Sequence, residues 1–572
     1  MNPTRTRLLV VLVAVPSLLI VAAAGGAVPG VLSDGSSATE NGEPAAADRP
    51  ADPTTEDTVG YVEGYWYDDE LPVDEREDGV VEDDELEAVV YRSMARVEVI
   101  RGLTFEDDVP VEVVSREEYR ENDDTFLDDA GDEERLQLNV NTEALFAVDR
   151  NTDATDEQEA LYGGAVDGYY EPSTDQVVIV SENPETPELN EVVLGHELLH
   201  ALQDQHFDLA SYERETIDQD NAKNGLVEGD AVRVETEYED RCAAEWDCTL
   251  PDGGATAPPD LNWVMYTTIF QPYNDGPDYV GHLLEQSQAQ SASSDSTGEG
   301  SEPGERDDWD AVDAAYDDPP ASSSEVIRPG EDREPADIEV EDRSNDEWRQ
   351  LEIDGEVASE TYGEAGMVAM FAGDAHDRTQ PSVIGQDDFF AEDLQGYDYD
   401  QPYTDGWAGD ELVTYVTDEA TETDDPAAAA AHAGYVWETE WTSSEDGQQF
   451  VDGYLQLLDL HDAEAVDGYQ DTYVIDDEYP GAYHVDRDGE SVTIVRAPSV
   501  DELPNVDSGA APEGEDTLEI EDADPETTDD DGGDAPGDGS NAIPGFGVPV
   551  AVAAVAIALL AGRVRSAGRE RP

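Results

Sequence analysis

Positive charge is what this chain has least of. Its 572 residues hold 27 Lys plus Arg, only one of them a lysine (Lys223), against 142 Asp plus Glu, for a formal net charge of -115. Nucleic acid is thereby excluded as a partner, because a polyanion gains nothing by meeting another one. Cysteine is almost as scarce, with Cys242 and Cys248 the only two, and there is no internal repeat and no Asn-x-Ser/Thr sequon. What is present argues against simple disorder. A hydrophobic share of 38% suffices for packed cores, and the acids run through apolar-patterned segments instead of gathering in one tail. They keep the surface strongly hydrated and self-repelling.

The two ends carry an address. Arg5 and Arg7 precede an apolar run from Leu8 to Ala24, broken only by Pro16-Ser17, and residues 1–24 read as a signal peptide. The alternative is an uncleaved signal anchor, since the run nearly spans a bilayer. Both export the body, and in the absence of an Arg-Arg pair the general secretory route is expected. At the other end, Pro544-Gly545-Phe546 leads into apolar residues 547–562 and then Arg563, Arg565, Arg569 and Arg571, one membrane span with positive charge left inside. Pro544, Gly545 and Phe546 ahead of a span and arginines resemble the haloarchaeal sorting signal PGF-CTERM, here over 542–572. That resemblance implies that an archaeosortase-type enzyme removes the tail and a lipid replaces it. A permanent C-terminal anchor is the alternative, and both leave the body at the cell surface, tied to the membrane. The acidic composition resembles proteins of extremely salt-loving archaea, where dense counterions screen the repulsion. In an exported chain Cys242 and Cys248 are expected to join as one small disulfide loop, because no His or further Cys stands beside them to complete a metal site.

Between the ends the pattern is α+β. An acidic linker is expected over 25–58, a first domain over 59–375, a smaller α+β module over 376–505 and a disordered acidic stalk over 506–541, too rich in Gly, Pro and Asp to fold. Helical spacing of Leu86, Val89, Val90, Met94 and Val97 marks a helix over 83–102, and 109–114 alternates toward a strand. Residues 168–180 read as a hairpin around Pro172-Ser173-Thr174-Asp175, followed at once by a helix with Thr186 as N-cap and Pro187 as its first residue, reaching Gln205. Low-complexity stretches near 287–306 and 318–336 read as surface insertions, and helices are expected at 309–316 and 360–371. Later come strands at 412–416 and 435–442, a helix over 443–460 and a hairpin around Asp486-Arg487-Asp488-Gly489.

Chemistry concentrates in His196-Glu197-Leu198-Leu199-His200. On a helix His196 and His200 lie one turn apart on one face, near enough for two imidazoles to share one Zn²⁺, with Glu197 beside them to take a proton from water activated by the metal. Leu189, Val192, Val193 and Leu199 flank the His stripe and Leu194, Leu198 and Leu202 form a second apolar row, so the helix is buried nearly all round. Buried imidazoles and carboxylates need partners. Two core histidines bonded to backbone carbonyls would leave Glu197 unpaired, whereas a metal satisfies the set.

The third ligand separates two families. His206 stands six residues after His200, as in the metzincins, but Gln203 occupies the place of the glycine that turns the chain there. The helix then continues, carrying His206 about 9 Å beyond His200. Glu228, in the apolar, small-residue run Leu226-Val227-Glu228-Gly229-Asp230-Ala231, is the preferred ligand and resembles the third-ligand Glu that gluzincins carry on a following helix, with His206 as the weaker alternative. Glu235, Glu237 and Glu239 lack that collar and read as a solvated face. Gln203 and Asp204 are candidate outer partners of the histidines, and Tyr273, in Pro272-Tyr273-Asn274-Asp275-Gly276-Pro277, is a candidate oxyanion donor or an ordinary turn tyrosine. Strand Val177–Val180, ahead of the motif helix, has the position in zincins of a cleft strand that takes extended peptide. HELLHALQDQHF, LVEGDA, PYNDGPDYV and GWAGD together resemble a family of haloarchaeal surface proteins that carries a zincin motif and no assigned substrate, over residues 60–500. The resemblance implies a zincin-like fold over 59–375 and a zinc-dependent peptidase acting on protein or peptide. The competing class is a non-catalytic surface or adhesion protein with a structural or vestigial zinc site.

Overall fold

The computed structural model describes Leu12–Val13 and residues 49 to 518, apart from 120–129, 252–260, 295–308, 377–379 and 392–395 and positions 77, 166–167, 182, 332, 334 and 424. The fold is α+β. Most of 1–24, with the apolar stretch at 547–562 and the Pro544-Gly545-Phe546 signal, lies outside the described residues, among which no helix is long and apolar enough to cross a membrane.

The first half of the chain, which bears the site, includes α1 (Asp83–Arg101), β1 (Val111–Ser115), α2 (Asp132–Ala144), whose Leu136, Val140 and Ala144 pack in the core of the later sheet, the hairpin β2 (Gly168–Glu171) and β3 (Gln176–Ser181), then α3 (Glu191–Phe207), α4 (Ile217–Ala244), α5 (Trp263–Ser294), α6 (Asp310–Ala315) and α7 (Ser323–Ile327). β3 runs between β1, its parallel neighbour, and β2, its antiparallel one, and Leu12–Val13 pairs with the far side of β2. Val89, Met94, Leu194, Leu198, Val227 and Val234 from α1, α3 and α4 share one core.

Two of the local readings are overturned here by tertiary pairing. The motif helix starts at Asn190, not at Thr186: Pro187 and Leu189 are extended, since Val81 N donates to Pro187 O at 3.0 Å and Leu189 N to Gly79 O at 2.8 Å. Asn190 takes over as cap, its side chain accepting from Val192 N at 3.1 Å. The expected turn at Pro272–Pro277 is instead the interior of α5, with both prolines inside the helix. Packing against α4 outweighs the local signal. There the two backbones touch, for a Cβ on Gly229 would lie 2.3 Å from Gly276 O. Gly195 plays the same part between α3 and α4, where a Cβ would lie 3.0 Å from the Tyr238 ring.

Neither low-complexity stretch is simply a surface insertion. α5 runs on to Ser294, and Ser287 is buried, accepting from Ala311 N at 2.9 Å. Within 318–336, α7 brings two buried serines inward: Ser323 Oγ donates to Asp218 at 2.6 Å and Ser324 Oγ to Glu364 at 2.7 Å. Small hydroxyl side chains that look like linker composition serve as close-packing polar contacts.

The second half is built on α8 (Gly363–Ala372), β4 (Trp407–Val416), β5 (Ala433–Trp441), α9 (Ser444–Leu460), β6 (Gly481–Asp488) and β7 (Ser491–Ala497). An antiparallel sheet runs Ser359–Glu360, β4, β5, β7, β6, Thr472–Ile475, Glu464–Ala465, and Arg349–Gln350 also pairs with β4. Side chains alternate across it. Leu412, Trp437 and Ile494 face the core that includes Phe450 and Tyr454 of α9, while Val413, Val436 and Val495 face a second core with Trp348 and Leu503. Both faces are therefore covered. Arg349–Gln350 and Ser359–Glu360, both ahead of the boundary expected at 376, are strands of this sheet. Every residue of α8 is buried, and it packs against α4, α5 and α7 as well as the sheet and α9, which joins the halves in one folded unit. The body also outlasts the boundary expected at 506: Asp471 accepts from Thr517 N at 2.6 Å and from Leu518 N at 2.9 Å.

Two tests follow from this packing. Gly229→Ala forces backbones apart and should destabilise the fold by roughly 1–3 kcal/mol in denaturant unfolding; an unchanged midpoint would contradict the close approach. His376 stacks on Trp263 with ring centroids 4.0 Å apart, and burial lowers its pKa to about 4. The unfolded chain takes up that proton first, so the contribution of neutral His376 is complete above pH 6.5 and is lost as pH falls toward 4. Relative to wild type, His376→Phe should lose about 1–2 kcal/mol less stability between pH 7.5 and 5, measured by urea unfolding at fixed salt.

Candidate metal centre

The start of α3 is anchored by charge. Glu191 is fully buried and accepts from Arg92 Nη2 at 2.9 Å, Arg96 Nη1 at 2.6 Å, Tyr238 Oη at 2.8 Å and Thr249 N at 2.9 Å. Two helices, α1 and α4, and the segment after the disulfide thus converge on one carboxylate of α3. Cys242 and Cys248 are bonded, with Cα atoms 5.6 Å apart, and Arg96 Nη2 also donates to Asp247 O at 3.0 Å within that loop. Sequence reasoning passed over Glu191, whose only signal is an acid in the first turn of an apolar helix.

One and two turns further on, α3 presents His196 and His200 to Glu228 of α4. Glu228 Oε2 lies 3.3 Å from His196 Nε2 and 3.3 Å from His200 Nε2, and the two rings meet edge-on with centroids 4.8 Å apart. His196, Glu197, His200 and Glu228 are all buried, at 2%, 0%, 0% and 1% exposure. His196 Nε2, His200 Nε2, Glu228 Oε2 and both carboxylate oxygens of Glu197 nevertheless make no hydrogen bond. Five buried polar atoms on four neighbouring side chains thus lack a hydrogen bond, an arrangement that is costly unless something satisfies it. Among the described residues, His196, His200 and Glu228 form the cluster able to hold a metal ion.

Electrostatics in the metal-free arrangement follow from burial. Burial pushes the Glu197 carboxyl up to about 7 against the pull of both histidines. Burial would also raise Glu228, but His200 and His196 outweigh it and hold that carboxyl down to about 2. His196 is raised well above its ordinary value, since Glu228 and Glu235 overcome its own desolvation.

Each histidine has an outer partner on Nδ1. For His196 it is Glu235 at 2.9 Å, so the reading of Glu235 as part of a solvated face is corrected. Seven residues, two helical turns, put Glu235 on the face of Glu228, and that spacing was the available signal. For His200 it is Gln203 Oε1 at 2.9 Å. Asp204 is not a partner of the histidines; it accepts from Tyr170 Oη at 2.9 Å and from Leu209 N at 2.9 Å, closing the end of α3.

Other expected residues lie elsewhere. His206 Nε2 is 2.8 Å from Thr104 O, outside the cluster. Tyr273 belongs to the aromatic row Tyr266, Phe270, Tyr273 on α5, so the turn position that recommended it as an oxyanion donor does not exist. Val177–Val180 is a central strand with both edges paired, and no peptide can be added to it. The strand bordering the centre is β2: a Cβ on Gly168 would lie 3.7 Å from Glu197 Cγ.

A protein-family model described as Domain of unknown function (DUF8575) matches residues 349–507. The match covers the sheet and includes none of His196, Glu197, His200 and Glu228. No curated protein and no solved structure matches the chain.

Glu191→Ala should leave two buried guanidinium groups short of their partner and destabilise the protein by about 3–5 kcal/mol. Urea unfolding in high salt measures this, and a loss below about 1 kcal/mol would show that water replaces the carboxylate.

Proposed function

We propose that this chain is a cell-surface, zinc-dependent metallopeptidase-like hydrolase in which His196, His200 and Glu228 hold the ion and Glu197 is the general base. The observation that carries the reading is the set of five buried polar atoms without a hydrogen bond on His196, Glu197, His200 and Glu228, of which the ligand atoms of His196, His200 and Glu228 lie within 4.8 Å of one another. The fit is quantitative: bonds of about 2.0–2.1 Å in a tetrahedron place donor atoms about 3.3 Å apart, and Glu228 Oε2 is 3.3 Å from each imidazole Nε2. Two neutral imidazoles and one carboxylate suit zinc and leave a fourth position open, as catalytic sites do. When bound, zinc would supply Lewis-acid activation of water and of a carbonyl.

The residues of the chain supply the remainder. Glu197, one position after His196, takes the proton of the attacking water and returns it to the leaving amine. Gly168 keeps β2 free of a side chain where it passes Glu197. Export, with anchoring through Pro544-Gly545-Phe546 and processing by an archaeosortase-type enzyme, remains part of the proposal on the sequence grounds given above.

The depth of the cluster favours a second reading, a non-catalytic surface protein with a structural metal, because structural sites are closed. Glu197 counts against it: a structural site has no use for a buried carboxylate with both oxygens unpaired. One variant separates the two. In Glu197→Gln, hydrolysis of an unstructured protein substrate such as casein should fall by at least about a hundredfold while stoichiometric zinc is retained in high salt. Unchanged cleavage would remove the assigned base, and a wild-type chain that holds zinc but cleaves nothing would favour the structural reading.

A further inference from the structure

On the basis of that metal reading, we propose that Tyr316 is a positioning residue of the centre: acting through Gln203, it holds His200 in the tautomer that leaves Nε2 free for the ion. Donor and acceptor rules set the direction of every bond in the chain from Arg101 to His200. Arginine only donates, and Arg101 Nε lies 3.0 Å from both carboxylate oxygens of Asp230. Asp230 Oδ2 also lies 2.8 Å from Tyr316 Oη, so the one phenolic proton goes to Asp230. The Tyr316 oxygen is then left to accept, and Gln203 Nε2 stands 2.9 Å away. The second Nε2 proton of Gln203 goes to Val227 O at 2.9 Å, a carbonyl that only accepts, which sets the orientation of the amide independently. Gln203 Oε1 therefore faces His200 Nδ1 at 2.9 Å as an acceptor, the proton of the ring sits on Nδ1, and the lone pair is on Nε2, the atom 3.3 Å from Glu228.

Reversal at any link is penalised because nothing else can answer it. Exposure is 0% for His200, 1% for Gln203, 3% for Tyr316 and 0% for Asp230, so a flipped group would bury an unmatched donor or acceptor. The Tyr316 ring is itself fixed by stacking on Phe207, with centroids 4.0 Å apart and planes 9° apart. His196 is served differently, by the carboxylate of Glu235. One ligand thus has a charged outer partner and the other a neutral amide, held by the Val227 carbonyl and by a Tyr316 hydroxyl that Asp230 and Arg101 orient in turn. Tyr316 touches no ligand directly and stands at the end of α6, far along the sequence from α3.

The test is zinc affinity by chelator competition, together with the visible spectrum of the cobalt-substituted full chain. Tyr316→Phe should weaken zinc by about tenfold or more and change the cobalt bands. Tyr212→Phe removes a hydroxyl that reaches only the backbone carbonyl of Tyr316, at 2.9 Å, and should leave both readouts within about twofold of wild type, well below the loss that an outer partner carries. Asp230→Asn should also weaken zinc, and the double variant should lose no more than the worse single one, since one chain of bonds carries both effects. Thermal unfolding of the metal-free variants separates lost positioning from lost fold. Zinc affinity and cobalt spectrum unchanged in Tyr316→Phe, or additive losses in the double variant, would overturn the role while leaving the centre intact. A wild-type chain that takes up no metal would overturn the centre and this role together.

Discussion

Two imidazoles and two carboxylates are withdrawn from water between α3 and α4, and no polar group of the chain satisfies the atoms that face one another. Most of the surrounding structure answers to that constraint. The helices must sit close enough for Glu228 to reach both histidines, which is why Gly195 lies under the Tyr238 ring. They must also be held in register, and Glu191, bonded at once from α1, α4 and Thr249, ties the first turn of α3 to the same neighbours. The carboxylate of this anchor has a donor for each of its oxygens, whereas at the centre both Glu197 oxygens, Glu228 Oε2 and the two histidine Nε2 atoms have no hydrogen bond.

The second half of the molecule contributes by confinement. α8, buried along its whole length, fills the space between α4, α5, α7 and the sheet, so the helix carrying Glu228 is backed on one side by α5 at Gly229 and on another by the core of the sheet domain. The stretch that a family model matches, 349–507, is this scaffold and not the centre. The match therefore carries no information about the chemistry of the centre.

Legibility in the sequence followed the range of the interaction. The helix over 83–102, the hairpin at 168–180 and the helix of 443–460 lie within a residue or two of the expected bounds, because periodicity and turn chemistry act within one or two turns of chain. His196, Glu197 and His200 were legible for the same reason, and Glu228 because a carboxylate amid Leu226, Val227 and Ala231 is anomalous for its surroundings. Glu235 was missed: its own neighbours are exposed, and only the arrival of His196 from another helix gives it a role. The prolines of α5 and the serines of α7 misled in the opposite sense, as local signals that distant packing overrode.

From the sequence alone came the pair of histidines, the adjacent carboxylate, the strongly acidic character and the patterns read as signals at the two ends, since each depends on residue type at short, fixed spacing. Tertiary structure alone decided which atoms remain unpaired and which side chains stand behind the histidines. The reason is physical: tautomer, orientation and desolvation are properties of contacts between helices. Gln203 illustrates the division. In the sequence it is only the residue where a turning glycine is lacking; in the fold it is the amide through which Tyr316, Asp230 and Arg101 act on His200.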